Sequence, residues 1–132
     1  MTEGRCNCGG IKVSIPALPE KSIICYCSNC RRAGSSMGSI IYSPDKSEVT
    51  INDPDGNLKS YKDSDTKSGN TITRQFCSNC GWQVTRNILK DFGSKLFLKG
   101  GLFEQIPIPG HKSFAEEEPS WMSILEPDDK KI

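Results

Sequence analysis

The sequence predicts an all-β domain built around bound metal. Three observations predict it: short runs of β-branched and aromatic residues, turn signals between those runs, and seven cysteines gathered into three tight motifs. The runs read Ile11-Lys12-Val13-Ser14-Ile15, Ile23-Ile24-Cys25-Tyr26, Ser39-Ile40-Ile41-Tyr42 and Glu48-Val49-Thr50-Ile51, then Leu58-Lys59-Ser60-Tyr61, Thr71-Ile72-Thr73-Arg74-Gln75-Phe76, Gln83-Val84-Thr85-Arg86-Asn87 and Lys95-Leu96-Phe97-Leu98. Several alternate apolar and polar residues, the period-2 signature of half-buried strands. Pro44-Asp45, the stretch from Asn52 to Asn57, and Ser68-Gly69-Asn70 separate them, with Gly and Asn supplying positive φ where a turn requires it. Short strands at this spacing predict a sandwich or barrel-like domain.

No segment carries a long helical period. The residues after Cys27 read as a helical turn, and Ser113-Phe114-Ala115-Glu116 has the spacing of a capping box that would open another. Residues 1–125 read as one zinc-binding β domain and residues 126–132 as a flexible tail.

Composition narrows the setting. The chain has 132 residues, 35% hydrophobic and 25% charged, which is the balance of one soluble globular domain. It has no apolar run of about 18 residues to cross a membrane, and Met-Thr-Glu-Gly-Arg at the start lacks the apolar stretch of a secretory signal. The expected compartment is the cytoplasm or nucleus. Reducing surroundings disfavour disulfides, so clustered cysteines there point to metal binding or reactivity. An odd number of cysteines would also strand one thiol in a pure disulfide framework.

Cys6-Asn7-Cys8-Gly9 is a C-x-C followed by glycine. Cys25-Tyr26-Cys27-Ser28-Asn29-Cys30 is a C-x-C-x-x-C. Cys77-Ser78-Asn79-Cys80-Gly81 is a C-x-x-C followed by glycine. Such turns aim two sulfurs at one tetrahedral ion, and the trailing glycine lets the backbone continue without a Cβ clash. The half-sites Cys6/Cys8 and Cys77/Cys80 would make a closed four-sulfur zinc site. Cys25, Cys27 and Cys30 would make a three-ligand site with an open position, the pattern of catalytic zinc. Spacing alone also permits Cys77/Cys80 to pair with the triplet. It equally permits a triplet site closed by His111 or an Asp, and a redox-active trio of thiols.

In this order, the motifs resemble the family of glutathione-dependent formaldehyde-activating enzymes, which shares its domain with centromere protein V. The family pattern is a C-x-C-G, a C-[HY]-C-x-x-C-R and a late F-C-x-x-C-G, matched by Cys6 to Gly9, Cys25 to Arg31 and Phe76 to Gly81 over a likeness spanning about residues 4 to 121. The resemblance implies a β-tent, small antiparallel sheets around a structural zinc, as in Rab accessory factors and methionine sulfoxide reductases. It implies that Cys6, Cys8, Cys77 and Cys80 hold that structural zinc, and that Cys25, Cys27 and Cys30 hold a second, catalytic one. It further implies addition of glutathione to formaldehyde, giving S-hydroxymethylglutathione, an activity classed as a carbon–sulfur lyase. Tyr26 stands where many members carry His, and the chain is shorter than the enzyme that names the family.

On this reading the partners are a small thiol, with glutathione as co-substrate, and a small aldehyde. Arg31 and Arg32 follow Cys30 directly and are expected to face the carboxylates of glutathione, because Arg forks suit carboxylates. His111, the single histidine, is expected as a surface or second-layer residue. Trp82 and Trp121 are expected in the core or a cavity wall, and Glu116-Glu117-Glu118 as a solvated face. A nucleic-acid-binding zinc module is one rival reading. Charge argues against it: seven thiolates outweigh the four positive charges of two zinc ions and turn the formal +1 into about −2. A zinc module for protein interaction is the other rival, and a fourth protein ligand at the triplet would favour it.

Overall fold

A computed structural model describes residues 1–87 and 94–125, so the expected tail at 126–132 lies outside the described residues. The described chain forms strands β1 (Thr2–Arg5), β2 (Lys12–Ile15), β3 (Ser22–Cys25), β4 (Ser39–Tyr42) and β5 (Thr50–Asn52). These are followed by β6 (Leu58–Asp63), β7 (Ile72–Cys77), β8 (Gln83–Asn87), β9 (Phe97–Lys99) and β10 (Pro109–Ser113). One helix, α1 (Ser28–Gly34), follows β3. A three-stranded sheet has the order β1-β2-β5, and a seven-stranded sheet has the order β10-β3-β4-β9-β8-β7-β6. The all-β class therefore stands. No helix among the described residues is long and apolar enough to cross a membrane.

Alternation along the central strands builds two cores. Tyr42 on β4 and Leu98 on β9 join Ile11, Val13 and Ile15, Val84 on β8, and Leu102 and Phe103 in one cluster. Their immediate neighbours Ile41 and Phe97 join Ile72 and the three cysteines of the triplet in a second cluster. Successive side chains on a strand point to opposite faces, so β4 and β9 are covered on both sides, and all of β9 is buried. The first core contains Cys6 and Cys77 and the second contains Cys25, Cys27 and Cys30, so each cysteine cluster is seated in its own apolar layer.

Strands β1 and β10 lie outside the β-branched and aromatic runs of the sequence. Beta-strand β1 pairs with β2 from Thr2↔Ile15 to Arg5↔Lys12, but Gly4 is its one buried residue. A Cβ at Gly4 would lie 2.8 Å from the Leu102 carbonyl oxygen, so close backbone approach places this strand. Strand β10 runs parallel to β3, with a register shift between Pro109 and His111, and is the exception to the antiparallel arrangement. Its Pro and Gly are tolerated because it is an edge strand. The capping box expected at Ser113 does not form. Ser113 is the last residue of β10 and its carbonyl accepts the Tyr26 N–H, while Phe114 caps a single 3-10 turn at φ 53° with no side-chain hydrogen bond.

Gly38 sits against the end of β3, where an added Cβ would lie 2.6 Å from the Cys25 carbonyl oxygen. Backbone cannot yield as a flexible side chain would. Gly38→Ala is expected to destabilise the fold by about 1–3 kcal/mol in a denaturant titration.

Candidate metal centres and cavity

Two knuckles of similar construction carry the four-sulfur cluster. In the first, the Cys6 N–H donates to the Ile11 carbonyl and the Gly9 N–H to the Cys6 carbonyl. In the second, the Cys77 N–H donates to Trp82 O and the Gly81 N–H to Cys77 O. Gly9 and Gly81 have φ of 77° and 79°, the left-handed turn that their place after the cysteines predicts. The sulfurs of Cys6, Cys8, Cys77 and Cys80 all lie within 4.8 Å of one another. Cys6 to Cys8 is 3.6 Å and Cys8 to Cys77 is 3.7 Å. A tetrahedral ion with metal–sulfur bonds of about 2.3 Å sets its ligands about 3.8 Å apart, whereas a disulfide needs about 2.05 Å. The spacing thus suits a shared ion, and the pairing of Cys77/Cys80 with the triplet does not occur.

Crowding splits the proton affinities of these sulfurs. The Asn79 side chain and the Gly10 N–H hold the Cys8 thiol below its ordinary value. Burial pushes Cys80 upward, but the N–H groups of Trp82 and Cys8 outweigh it and bring Cys80 down to about 6. The Cys80 N–H pulls on Cys77, yet burial and the neighbouring sulfurs push Cys77 up to about 11. A divalent cation at the centre removes the need to retain protons, and metal affinity of such sites falls as pH falls.

The triplet is built by the end of β3 and the start of α1. Cys25 and Cys27 lie two residues apart with sulfurs 3.5 Å apart. Cys27 is the N-cap of α1, and its sulfur accepts the Cys30 N–H at 3.4 Å. All three are buried and their sulfurs fall within 4.8 Å of one another. The Cys30 sulfur and burial push the Cys25 thiol up. Among the described residues, no His, Asp or Glu joins the three as a fourth metal ligand.

Cys25 and Cys27 form part of the wall of a cavity of about 490 Å³, otherwise walled chiefly by Ile23, Ile41, Ile72, Phe97 and Phe114. Asn29, Lys67, Arg74 and His111 supply polar groups. His111 therefore reaches the cavity without ligating. Arg31 and Arg32 are exposed, and neither lines this cavity; Arg32 lines a different cavity of about 800 Å³ together with Trp82. Trp121 is 76% exposed, so it forms no part of the core. The acidic run is not simply solvated: Glu117 pairs with Lys67 at 2.7 Å, and Glu118 accepts the Tyr26 hydroxyl and pairs with Lys112 at 2.9 Å. Lys67 and Arg74 are the cations of the cavity that the motifs did not announce. Alternation could have found Arg74, since it shares the inward parity of Ile72.

A family model for glutathione-dependent formaldehyde-activating enzymes matches residues 1–123. The chain belongs to that family. Among solved structures, the crystal structure of a Rhodobacter sphaeroides protein, a structural genomics target, superimposes with a TM-score of 0.61. The two chains are 21% identical, and the match covers 79% of this chain and 89% of that one, a likeness of fold. No curated protein matches. Family membership suggests formaldehyde activation with glutathione, and the two cysteine clusters could hold metal.

Substitution separates the two centres. Native mass spectrometry of the purified chain is expected to show two zinc ions. Cys77→Ser should lose one ion and the cooperative thermal transition with it, because a closed structural site contributes folding energy. Cys27→Ser should lose one ion and keep a cooperative transition. Loss of the fold in both variants, or in neither, would contradict the division.

Proposed function

We propose that this chain is a zinc-dependent enzyme of the carbon–sulfur lyase type, which joins a thiol, glutathione foremost, to formaldehyde or another small aldehyde. The observation that carries the reading is the buried triplet, with three sulfurs in convergence beside a cavity that Cys25 and Cys27 line and no fourth ligand among the described residues. Three ligands and an open position are the arrangement of catalytic zinc.

Cys25, Cys27 and Cys30 would hold the zinc ion, which would supply a Lewis acid able to keep a ligating thiol deprotonated at neutral pH. The apolar wall of Ile23, Ile41, Ile72 and Phe97 excludes water from the thiol and the aldehyde and holds them together. In the addition, the substrate sulfur forms a bond to the aldehyde carbon and the carbonyl π pair moves to oxygen. That oxygen takes up the proton the thiol released, so no electron donor or acceptor is required. His111, in the cavity wall, is the side chain to which this reading gives the carriage of that proton. Three thiolates around a divalent ion would leave a net negative charge; Lys67 and Arg74 line the same cavity, each paired with a carboxylate, Glu117 and Asp63. The carboxylate-facing role expected of Arg31 and Arg32 falls on this reading to a cation that lines the cavity, since neither of those two does.

The test is native mass spectrometry with millimolar glutathione, followed by carbon-13 NMR of labelled formaldehyde. A one-to-one complex on the two-zinc chain, together with acceleration of S-hydroxymethylglutathione formation that Cys27→Ser abolishes, is expected. A two-zinc chain that takes up no glutathione at that concentration would overturn the proposal.

A further inference from the structure

Strand β7 serves both centres. Its end delivers Cys77 to the four-sulfur cluster, and the buried positions Ile72 and Arg74 reach the cavity of the triplet. An arginine in that position is unusual chemistry for a wall that is otherwise largely apolar. The Arg74 side chain is 6% exposed. Its Nε donates to Asp63 Oδ2 at 2.9 Å, from the neighbouring strand β6. The other Asp63 oxygen accepts the Asp65 N–H at 3.2 Å. Asp63 thus holds the guanidinium by its inner nitrogen. Nη1 and Nη2 are shut off from bulk water and meet no acceptor among the described residues.

Buried donors without acceptors are rare because water has been removed and nothing has replaced it. A guanidinium makes the deficit larger, since its donors are charged. Its two terminal nitrogens form a planar fork that matches one carboxylate in bidentate fashion. Low dielectric around the site strengthens such a pair. The other cation of the cavity, Lys67, already has Glu117 as its partner at 2.7 Å. The exposed pair Arg31 and Arg32 does not reach this cavity.

We infer that Arg74 is the carboxylate anchor of the substrate, and that the site selects thiols that carry a carboxylate over neutral thiols. The inference rests on the proposed function for the sulfur end of the ligand, while the carboxylate end can be tested separately. Arg74 receives the carboxylate on Nη1 and Nη2, Asp63 fixes the plane of the guanidinium through Nε, and the triplet receives the sulfur. Neutral thiols would satisfy the metal but leave the two nitrogens bare.

Calorimetric titration of the two-zinc protein with glutathione, S-methylglutathione and 2-mercaptoethanol tests this. S-methylglutathione keeps the carboxylates and lacks the thiol, whereas 2-mercaptoethanol keeps the thiol and lacks the carboxylates. The variants are Arg74→Lys, which retains a charge beside Asp63 but loses the fork, and the double variant Asp63→Asn, Arg74→Met, which leaves no buried charge unpaired. Glutathione affinity is expected to fall at least about tenfold in the double variant and by a smaller factor in Arg74→Lys. Affinity for 2-mercaptoethanol should stay within about twofold. If the double variant fails to fold, Arg74→Lys alone decides. Unchanged glutathione affinity in a folded variant that retains two zinc ions overturns the anchor. Equal binding of glutathione and S-methylglutathione, both lost in the variants, upholds the anchor and overturns thiol binding at the triplet. A wild-type protein that binds neither overturns both.

Discussion

The four-sulfur cluster is the constraint on which the remaining structure depends. Cys8 and Cys77 are 69 residues apart in sequence and 3.7 Å apart at their sulfurs. No continuous sheet joins their knuckles: Cys6 and Cys8 follow β1 of the small sheet, while Cys77 ends β7 of the large one. Closing this loop costs chain entropy that grows slowly with length. An ion bound by the four thiolates would offset far more than that, because its binding free energy is folding free energy. A chain of this size with only 35% hydrophobic residues has a modest core to draw on. The cluster sits at the edge of that core, with Cys6 and Cys77 buried in the layer of Val13, Tyr42, Val84 and Leu98 and Cys8 exposed.

Once the small sheet is clamped over one face of the large sheet, the other face is free to hold a ligand. Strands β4 and β9 are the dividing wall, and single-residue alternation decides what each side receives. Tyr42 and Leu98 fill the clamped side, and Ile41 and Phe97 line the cavity. A register slip of one residue on either strand would exchange the two sets and put a tyrosine into the cavity. The stability of one centre therefore maintains the shape of the other, although the two share no ligand.

Much of this was legible from residue type and spacing. The short β-branched and aromatic runs located eight of the ten described strands, and the C-x-C-G and C-x-x-C-G knuckles located two of the four positive-φ glycines among the described residues, Gly9 and Gly81. What spacing could not do was pair the half-sites, because two knuckles of one kind fit a third set of sulfurs equally well until the strands are placed. The two strands that escaped, β1 and β10, are held by backbone pairing. Thr2-Glu3-Gly4-Arg5 and Pro109-Gly110-His111-Lys112-Ser113 bury almost no apolar side chain, so nothing in their pattern distinguishes them from loop. Arg31 and Arg32 illustrate the converse limit. Their adjacency to Cys30 is real, but α1 starts at Ser28 and carries them onto an exposed surface away from the cavity. Proximity in sequence predicts proximity in space only until a helix turns.

The same geometry gives Tyr26 a structural place between two cysteines of the triplet. Cys25 and Cys27 flank it and reach the cavity, whereas Tyr26 does not line the cavity, as alternation in an extended segment requires. Its ring is fully buried and its hydroxyl donates to Glu118, which also pairs with Lys112 on β10. Burial, with the Glu118 carboxylate beside it, pushes the phenol up to about 12, so it remains a neutral donor through the physiological range. The residue between the first two cysteines thus reaches the back of the site and ties it to the segment after β10. Tyr26 therefore braces the motif from behind, outside the cavity that Cys25 and Cys27 line.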